Sequence, residues 1–450
     1  MSDLSSPALA SSTPSTSRAY RRYVLVLLTA AYTFNFVDRQ IVGILAPAIK
    51  HDLSLSDAQL GSLIGFYFAV LYTTLGIPAA RLADRVNRVN VVSAALVLWS
   101  GFTALSGFAQ SFVHLALARV GVGIGEAGGS PPSHSILSDL YPKEERAGAL
   151  AVYAMGIPIG AALAYLGGGY VLTHFSWRAT FIAVGLPGIL LAILVKLTVR
   201  EPPRGIHDQK SAEKDPFASK EGGLGAELKT LWKATKHLLS IPTYRGIVFG
   251  LTAGSFASYA IAGWIVAFFR RTHPEMPLPS VLFWLGIITG TAYVLGTFVG
   301  GRLVDTLAKR NKAAYGYVPA AALALNVPFF LGAMWVDSPA LSLVLWWPAQ
   351  LLIGFYLGPC FALAQTLAPV SVRALSTAIF FFILNMIALG FGPTFVGFLS
   401  DALKADYGEG MGLRIALSTV VVAIFVSIGF FLWVARCVRR DWVEATGDLS

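Results

Sequence analysis

The chain is organised by apolar stretches longer than a soluble core helix requires. A helix that crosses a bilayer needs about 20 consecutive, mostly apolar residues. Twelve such blocks lie near residues 22–46, 57–80, 89–109, 112–135, 147–172, 178–198, 244–269, 279–302, 313–335, 340–364, 374–399 and 413–435. The apolar residues fill these blocks rather than recurring on one face, as they would in a surface helix of a soluble protein. Only 13% of residues are charged, against roughly 25% in an average soluble domain. In hydrocarbon every backbone N–H and C=O must be satisfied internally, so blocks of this length imply helices. The expected fold is an all-α membrane protein with twelve transmembrane helices.

The distribution of charge sets the orientation. The formal net charge is +10, which in a soluble chain would raise the question of a nucleic-acid partner. With the N-terminus placed in the cytoplasm, 26 of the 34 Lys and Arg fall on cytoplasmic segments, six on external ones, and two, Arg39 and Arg119, inside spans. That is the positive-inside bias expected of a polytopic protein. The excess of base therefore reflects topology and anionic membrane lipid, with no nucleic acid implied. The expectation is an integral, multi-pass protein of the cell (inner) membrane, both ends cytoplasmic, working as a monomer.

Composition changes sharply after Thr198. Residues 199–243 open with the polar "REPPRGIHDQKSAEKDPFASKEGG" and continue with "AELKTLWKATKHLLS". The second part predicts an amphipathic helix on the membrane surface, with Leu228, Leu231, Trp232 and Leu238 on its apolar side. The linker separates six spans from six. The expected organisation is a tail over 1–20, a bundle over 21–198, the linker over 199–243, a second bundle over 244–437 and a tail over 438–450.

The two halves echo each other. "ARLADRVNR" at 80–88 follows the second span and "GRLVDTLAKR" at 301–310 follows the eighth, at an offset of 221. A second match begins at Arg146 and Arg373, at an offset of 227. Parallel six-span repeats with the substrate site at their interface describe one major transporter architecture.

On these motifs the chain resembles the major facilitator superfamily, whose fold is two six-helix bundles. Asp84, Arg85 and Arg88 in "ARLADRVNR" match the acid and bases of its signature loop. Ala80, Asn87 and Asn90 depart from it where Gly, Gly and a base are usual. The "Asp-Arg-x-Asn-Arg" form, "FNFVDRQ" in the first span, "RVGVGIGEAGGSPP" from Arg119 in the fourth and "REPPRG" after the sixth resemble the spinster-like branch. That resemblance implies a secondary transporter for an anionic amphipathic lipid, such as a lysophospholipid or sphingosine 1-phosphate, working by alternating access. An alternative within the superfamily is the organic-anion (sugar-acid type) symporter, which shares the Asp-Arg of the first span and "R-x-x-x-G-x-x-E-A". A non-transporting sensor is the alternative from another class, but linker and tail are short for a signalling domain.

Four charges lie deep in spans: Asp38, Arg39, Arg119 and Glu126, all in the first half. Each costs about 2.5–3.5 kcal/mol to insert, so each is a functional candidate by default. Counting along the helices at 1.5 Å per residue puts Asp38 about 12 Å and Arg119 about 10 Å below the outer surface. Asp38 is therefore expected to pair with Arg119 across helices, with Glu126 two turns deeper on the same face as Arg119 and Asn35 one turn below Asp38. Arg39, roughly 100° round the helix from Asp38, has no assigned partner. A guanidinium fork suits an anionic headgroup, and Asp38 and Glu126 are candidate proton carriers. The glycines of "RVGVGIGEAGGS" predict close helix packing around Glu126.

The second half lacks such charges and carries aromatic and amide residues instead. Tyr259, Trp264, Tyr356, Gln365 and Asn385 are candidates for a cavity wall that would receive a lipid tail. Asp84, Arg85, Arg88 and Arg146, with Asp305 in the second half, are candidates for a gate at the cytoplasmic mouth; Thr306 stands where the base after Asp305 is expected. Gly156, Pro158 and Gly160 in the fifth... span and Gly390, Gly392 and Pro393 in the eleventh mark places for helices to flex. No zinc-ligand spacing among the seven His and no catalytic constellation is present. The expectation is no cofactor, no metal and no enzyme activity, with protons as the coupling ion.

Overall fold

The computed structural model describes residues 17–204, 224–368 and 373–447. Span 1 is Arg18–Leu53. Span 2 is Asp57–Ile64 and Phe66–Arg85, and span 3 is Arg88–Ser106. Span 4 is Phe112–Ala127 and Ser130–Leu140. Span 5 runs through Lys143–Ala154, Gly156–Leu163, a π-turn at Ala164–Gly168 and Gly169–His174. Span 6 is Trp177–Thr198. A helix at Leu224–Ser240 precedes the second half. It exposes Trp232 and buries Leu238; the side chains of Leu228 and Leu231 lie outside the described ones.

Span 7 is Pro242–Thr272. Span 8 is Leu278–Ile288, a π-turn at Thr289–Tyr293 and Val294–Ala308. Span 9 is Ala314–Trp335, and span 10 is Pro339–Ile353 with Leu357–Leu367. Span 11 is Arg373–Leu384, a π-turn at Asn385–Leu389 and the start of Gly390–Thr419. That last helix doubles back at Gly408, whose φ of 78° is open to glycine and strained for other residues. Span 12 continues through Val421–Thr446. The spans form two six-helix bundles.

Length and hydropathy alone pick out nine stretches among the described residues, the last of which, Ser376–Ala445, holds two spans. The two spans that escape this test are 1 and 4, those carrying Asp38, Arg39, Arg119 and Glu126. The charges lower the hydropathy of the helices that hold them.

Irregularities fall on several of the helices that join the bundles, and on spans 4 and 10 besides. Span 1 packs on span 7, span 2 on span 11 and span 5 on span 8. Spans 5, 8 and 11 each contain a π-turn and span 2 is interrupted at Gly65. A π-turn inside an α-helix commonly marks a functional site. The contacts between bundles are backbone-close: a Cβ on Gly43 would stand 2.9 Å from the Gly263 carbonyl, and one on Gly61 2.5 Å from that of Pro393. At Gly156 and Gly160 the requirement is close approach to span 1, since a Cβ on Gly160 would meet the Thr33 carbonyl at 2.5 Å. The glycines of span 4 serve the same end. Cβ atoms at Gly121, Gly123 and Gly125 would collide with Phe102, the Phe68 carbonyl and Trp99.

Candidate functional site

Spans 1 and 4 bring the four charges together, joined by spans 2 and 3. Asp38, Arg119 and Glu126 are no more than 2% exposed. The strongest contact is between Arg39 and Glu126: the Arg39 Nε donates to Glu126 Oε2 at 2.9 Å. Asp38 and Arg119 form a looser ion pair, with Nη1 and Oδ1 at 3.7 Å and no hydrogen bond. Asp38 Oδ2 instead accepts from the Thr103 hydroxyl of span 3.

The expected pairing of Asp38 with Arg119 is present, and the tighter contact of Arg39 with Glu126 is added to it. Depth counting places Asp38 level with Arg119, and they are indeed neighbours. It takes no account of side-chain reach. A guanidinium extends about one helical turn from its backbone, which carries the Arg39 head to Glu126.

Aromatic rings organise the two guanidinium groups. Phe68 of span 2 lies between them, its ring centroid 5.3 Å from the Arg39 carbon and 4.9 Å from that of Arg119. Arg39 also stands 4.4 Å from the Tyr72 ring and 5.1 Å from that of Phe36. Desolvated cation–π contacts contribute about 2 kcal/mol each, so these rings offset part of the cost of burying the two cations. Thr103, Phe68 and Tyr72 escape sequence reasoning, because threonine and aromatic residues are ordinary in membrane helices.

The cluster is under-satisfied. Arg119 Nε and Nη1, Asp38 Oδ1, Glu126 Oε1 and Asn35 Oδ1 are buried with no hydrogen-bond partner among the described residues. Buried polar atoms of this kind are few in native proteins, and each implies water, an ion or a ligand.

The second-half candidates separate. Tyr259 packs against the Phe68–Tyr72–Trp99 cluster and so faces the charged site across the bundle boundary. Asn385 opens the π-turn of span 11 and is buried. Tyr356 is buried and its hydroxyl lies 3.2 Å from that of Ser258, inside the second bundle. Gln365 is exposed. Trp264 is no cavity wall: it is fully buried, its indole N–H donates to the Pro393 carbonyl at 2.9 Å, and its ring meets Gly397.

On the face that carries the chain ends, Arg88 is buried. It donates to Glu201 at 2.6 Å, to Ser135 at 2.7 Å, to the Pro202 carbonyl at 2.8 Å, and to Asp139. These contacts tie the first bundle to the start of the linker. Arg146 donates to the Ser138 carbonyl at 2.8 Å. Arg85 and Asp305 are exposed, and the side chain of Asp84 lies outside the described ones.

Among the described residues, charged contacts join the bundles on the opposite face, which sequence reasoning left without a gate. Asp57, at the start of span 2 and 1% exposed, accepts both Nη1 and Nη2 of Arg271 at 2.7 Å, Lys50 at 2.8 Å and the Ser400 hydroxyl at 2.7 Å. Asp401 in turn accepts the backbone N–H groups of Asp57 and Ala58 at 3.1 and 2.7 Å, capping span 2 from the other bundle. Lys50 also reaches Glu409 at 3.3 Å. The face opposite the chain ends is latched shut.

Two six-span bundles, an incomplete charge cluster at their boundary and a latch across one face define a secondary transporter. Residues 28–393 match the family model of the Major Facilitator Superfamily. An "MFS-type efflux pump" of Mycolicibacterium smegmatis is 34% identical over 93% of both chains. "Protein spinster homolog 1" of Xenopus tropicalis is 27% identical over 94% of this chain and 82% of its own length. The crystal structure of a bacterial homolog of the human lysosomal transporter spinster, inward-facing and unoccupied, superposes with a TM-score of 0.83 at 30% identity, covering 95% of this chain and 99% of that one. The chain belongs to the major facilitator superfamily, in its spinster-like branch. Its relatives are transporters, not enzymes.

Proposed function

We propose that the chain moves an anionic amphipathic lipid, of the lysophospholipid or sphingosine-1-phosphate type, across the cell membrane by alternating access coupled to protons. The observation that carries this reading is the guanidinium of Arg119, whose Nε and Nη1 have no hydrogen-bond partner although the side chain is buried. A phosphate or carboxylate headgroup would complete it with charge-assisted bonds. The tail would lie toward Tyr259 and the π-turn at Asn385, where the second bundle offers no countercharge.

Protonation would act through the pairs. Neutralising Glu126 removes the acceptor charge that Arg39 holds, and neutralising Asp38 releases Arg119 toward the headgroup. Substrate and proton would then bias the same equilibrium between latched and unlatched states. The face with the chain ends is assigned to the cytoplasm on the distribution of Lys and Arg, and the state with the opposite face latched is the cytoplasm-accessible one. Arg85, Arg88, Arg146 and Asp84, with Asp305, remain candidates for closing that mouth in the alternate state. The transporter is taken to act as a monomer.

A second reading, efflux of some other substrate, is favoured by the similarity to the mycobacterial "MFS-type efflux pump". Binding of a short-chain lysophospholipid to purified protein separates the two readings. Arg119→Gln should weaken it at least tenfold if the headgroup sits on Arg119. Unchanged affinity would remove the headgroup assignment.

A further inference from the structure

A second polar site lies one helical turn from the charge cluster on the chain-end side. Spans 1, 3, 4 and 5 of the first bundle enclose a pocket with room for about one water molecule. Asn35 lines it and is 3% exposed, with its Oδ1 lacking any partner. Ser130, Ser133 and Tyr153 supply hydroxyl groups to the same wall. Ser133 is already committed to the Gly129 carbonyl at 2.8 Å. The Tyr153 hydroxyl is hydrogen-bonded to Ser130 and Ser133, which leaves the Asn35 amide oxygen as the unpartnered atom of the pocket; a buried acceptor of this kind beside hydroxyl groups, in a space of this size, is a site for water.

The pocket lies one turn from the Arg39–Glu126 pair on both spans that carry it, since Asn35 precedes Arg39 by four residues. Ser130 follows Glu126 by four residues, one turn along span 4, and the Glu126 Oε1 has no partner. Span 4 is interrupted between them at Gly128 and Gly129, and Gly129 itself lines the pocket. On the far side, the Tyr153 ring meets the imidazole of His134 edge-on at 5.0 Å, and His134 is exposed. The groups that face Glu126 are Arg39 and Asp38 of span 1 and Arg119 of its own span, with Tyr72 of span 2 over Arg39; span 3 contributes Trp99 and Thr103, which do not titrate.

We propose that this pocket holds one water and is the route by which protons from the chain-end face reach Glu126. A proton from bulk solvent passes to the pocket water, and a proton of that water passes to Glu126 Oε1. The carboxylate becomes a carboxylic acid, the water is regenerated, and Arg39 loses its countercharge. This rests on the reading that Glu126 carries the coupling proton.

The test uses the full-length protein in detergent and a pH jump, followed by time-resolved infrared absorption of the carboxyl C=O stretch. Loss of the band in Glu126→Gln assigns it. Asn35→Leu, which fills the pocket with an apolar group of similar size, is expected to slow protonation of Glu126 at least tenfold with its midpoint unchanged. An unchanged rate overturns the route. Absence of any titrating band at Glu126 overturns the underlying reading instead, so the two failures are distinct. If Asn35→Leu does not fold, Tyr153→Phe and a high-resolution structure decide. Water within hydrogen-bonding distance of Asn35 Oδ1 is expected, and an empty pocket contradicts the proposal.

Discussion

Replacing Asp57 with asparagine should open the latched face. In the closed state the carboxylate holds Arg271 through two bonds, Lys50 and Ser400. An amide of the same size keeps one acceptor oxygen and turns an NH2 group toward cationic donors. Truncating one partner of a buried, hydrogen-bonded charge pair costs about 2–5 kcal/mol. Arg271 and Lys50 retain 13% and 17% side-chain exposure, so the lower part of that range, about 2–3 kcal/mol, is appropriate. In the open state these groups are hydrated and the substitution is nearly neutral. At 1.4 kcal/mol per factor of ten, the open-to-closed ratio rises about 30- to 140-fold. A protein that is about 1% open would become between about a quarter and three-fifths open. Spin labels at the exposed positions His51 and Asp406, with Cys360 and Cys437 replaced by alanine, report the separation of the two bundles on that face by double electron–electron resonance. A new long-distance population is expected in Asp57→Asn. An unchanged distribution in a folded variant would refute the assignment of Asp57 as the latch.

Two further predictions concern packing and charge. Arg39→Gln leaves Glu126 buried without its partner and should destabilise the protein by about 3–5 kcal/mol, whereas Arg39→Gln/Glu126→Gln should recover most of that loss; thermal unfolding of the single and double variants in detergent measures the coupling, and additive losses would contradict it. Gly296→Ala places a methyl 1.9 Å from the Leu351 carbonyl, while Gly301→Ala in the same helix meets nothing within 4 Å. The first should cost about 1–3 kcal/mol and the second fall within about 0.5 kcal/mol of wild type, in the same unfolding assay.

The sequence makes the fold legible because twelve apolar blocks and the spacing of basic residues are properties of composition along the chain. Asp38, Arg119 and Glu126 stand out for the same reason: in a membrane helix an ionisable group is rare. Their partners are less legible. Depth along a helix can be counted, but the reach of Arg39 to Glu126 and the rotation that brings Thr103 to Asp38 depend on how spans 1, 3 and 4 are turned. The latch was hidden for the opposite reason. Lys50, Asp57, Arg271 and Asp401 sit at span ends, where charges are commonplace, and only their convergence distinguishes them. Trp264 misled because an aromatic residue in a span is as apt for packing as for lining a cavity; its indole N–H is used by Pro393.

The central claim is that an anionic lipid headgroup and a proton share the site built by Arg119, Asp38, Arg39 and Glu126. The measurement that tests it most directly is transport in proteoliposomes, comparing a labelled lysophospholipid with a labelled sugar acid, with and without a pH gradient. Lysophospholipid movement accelerated by the gradient is expected, with that acceleration lost in Glu126→Gln. Movement of the sugar acid alone, or lipid movement indifferent to the gradient in the wild-type protein, would contradict it.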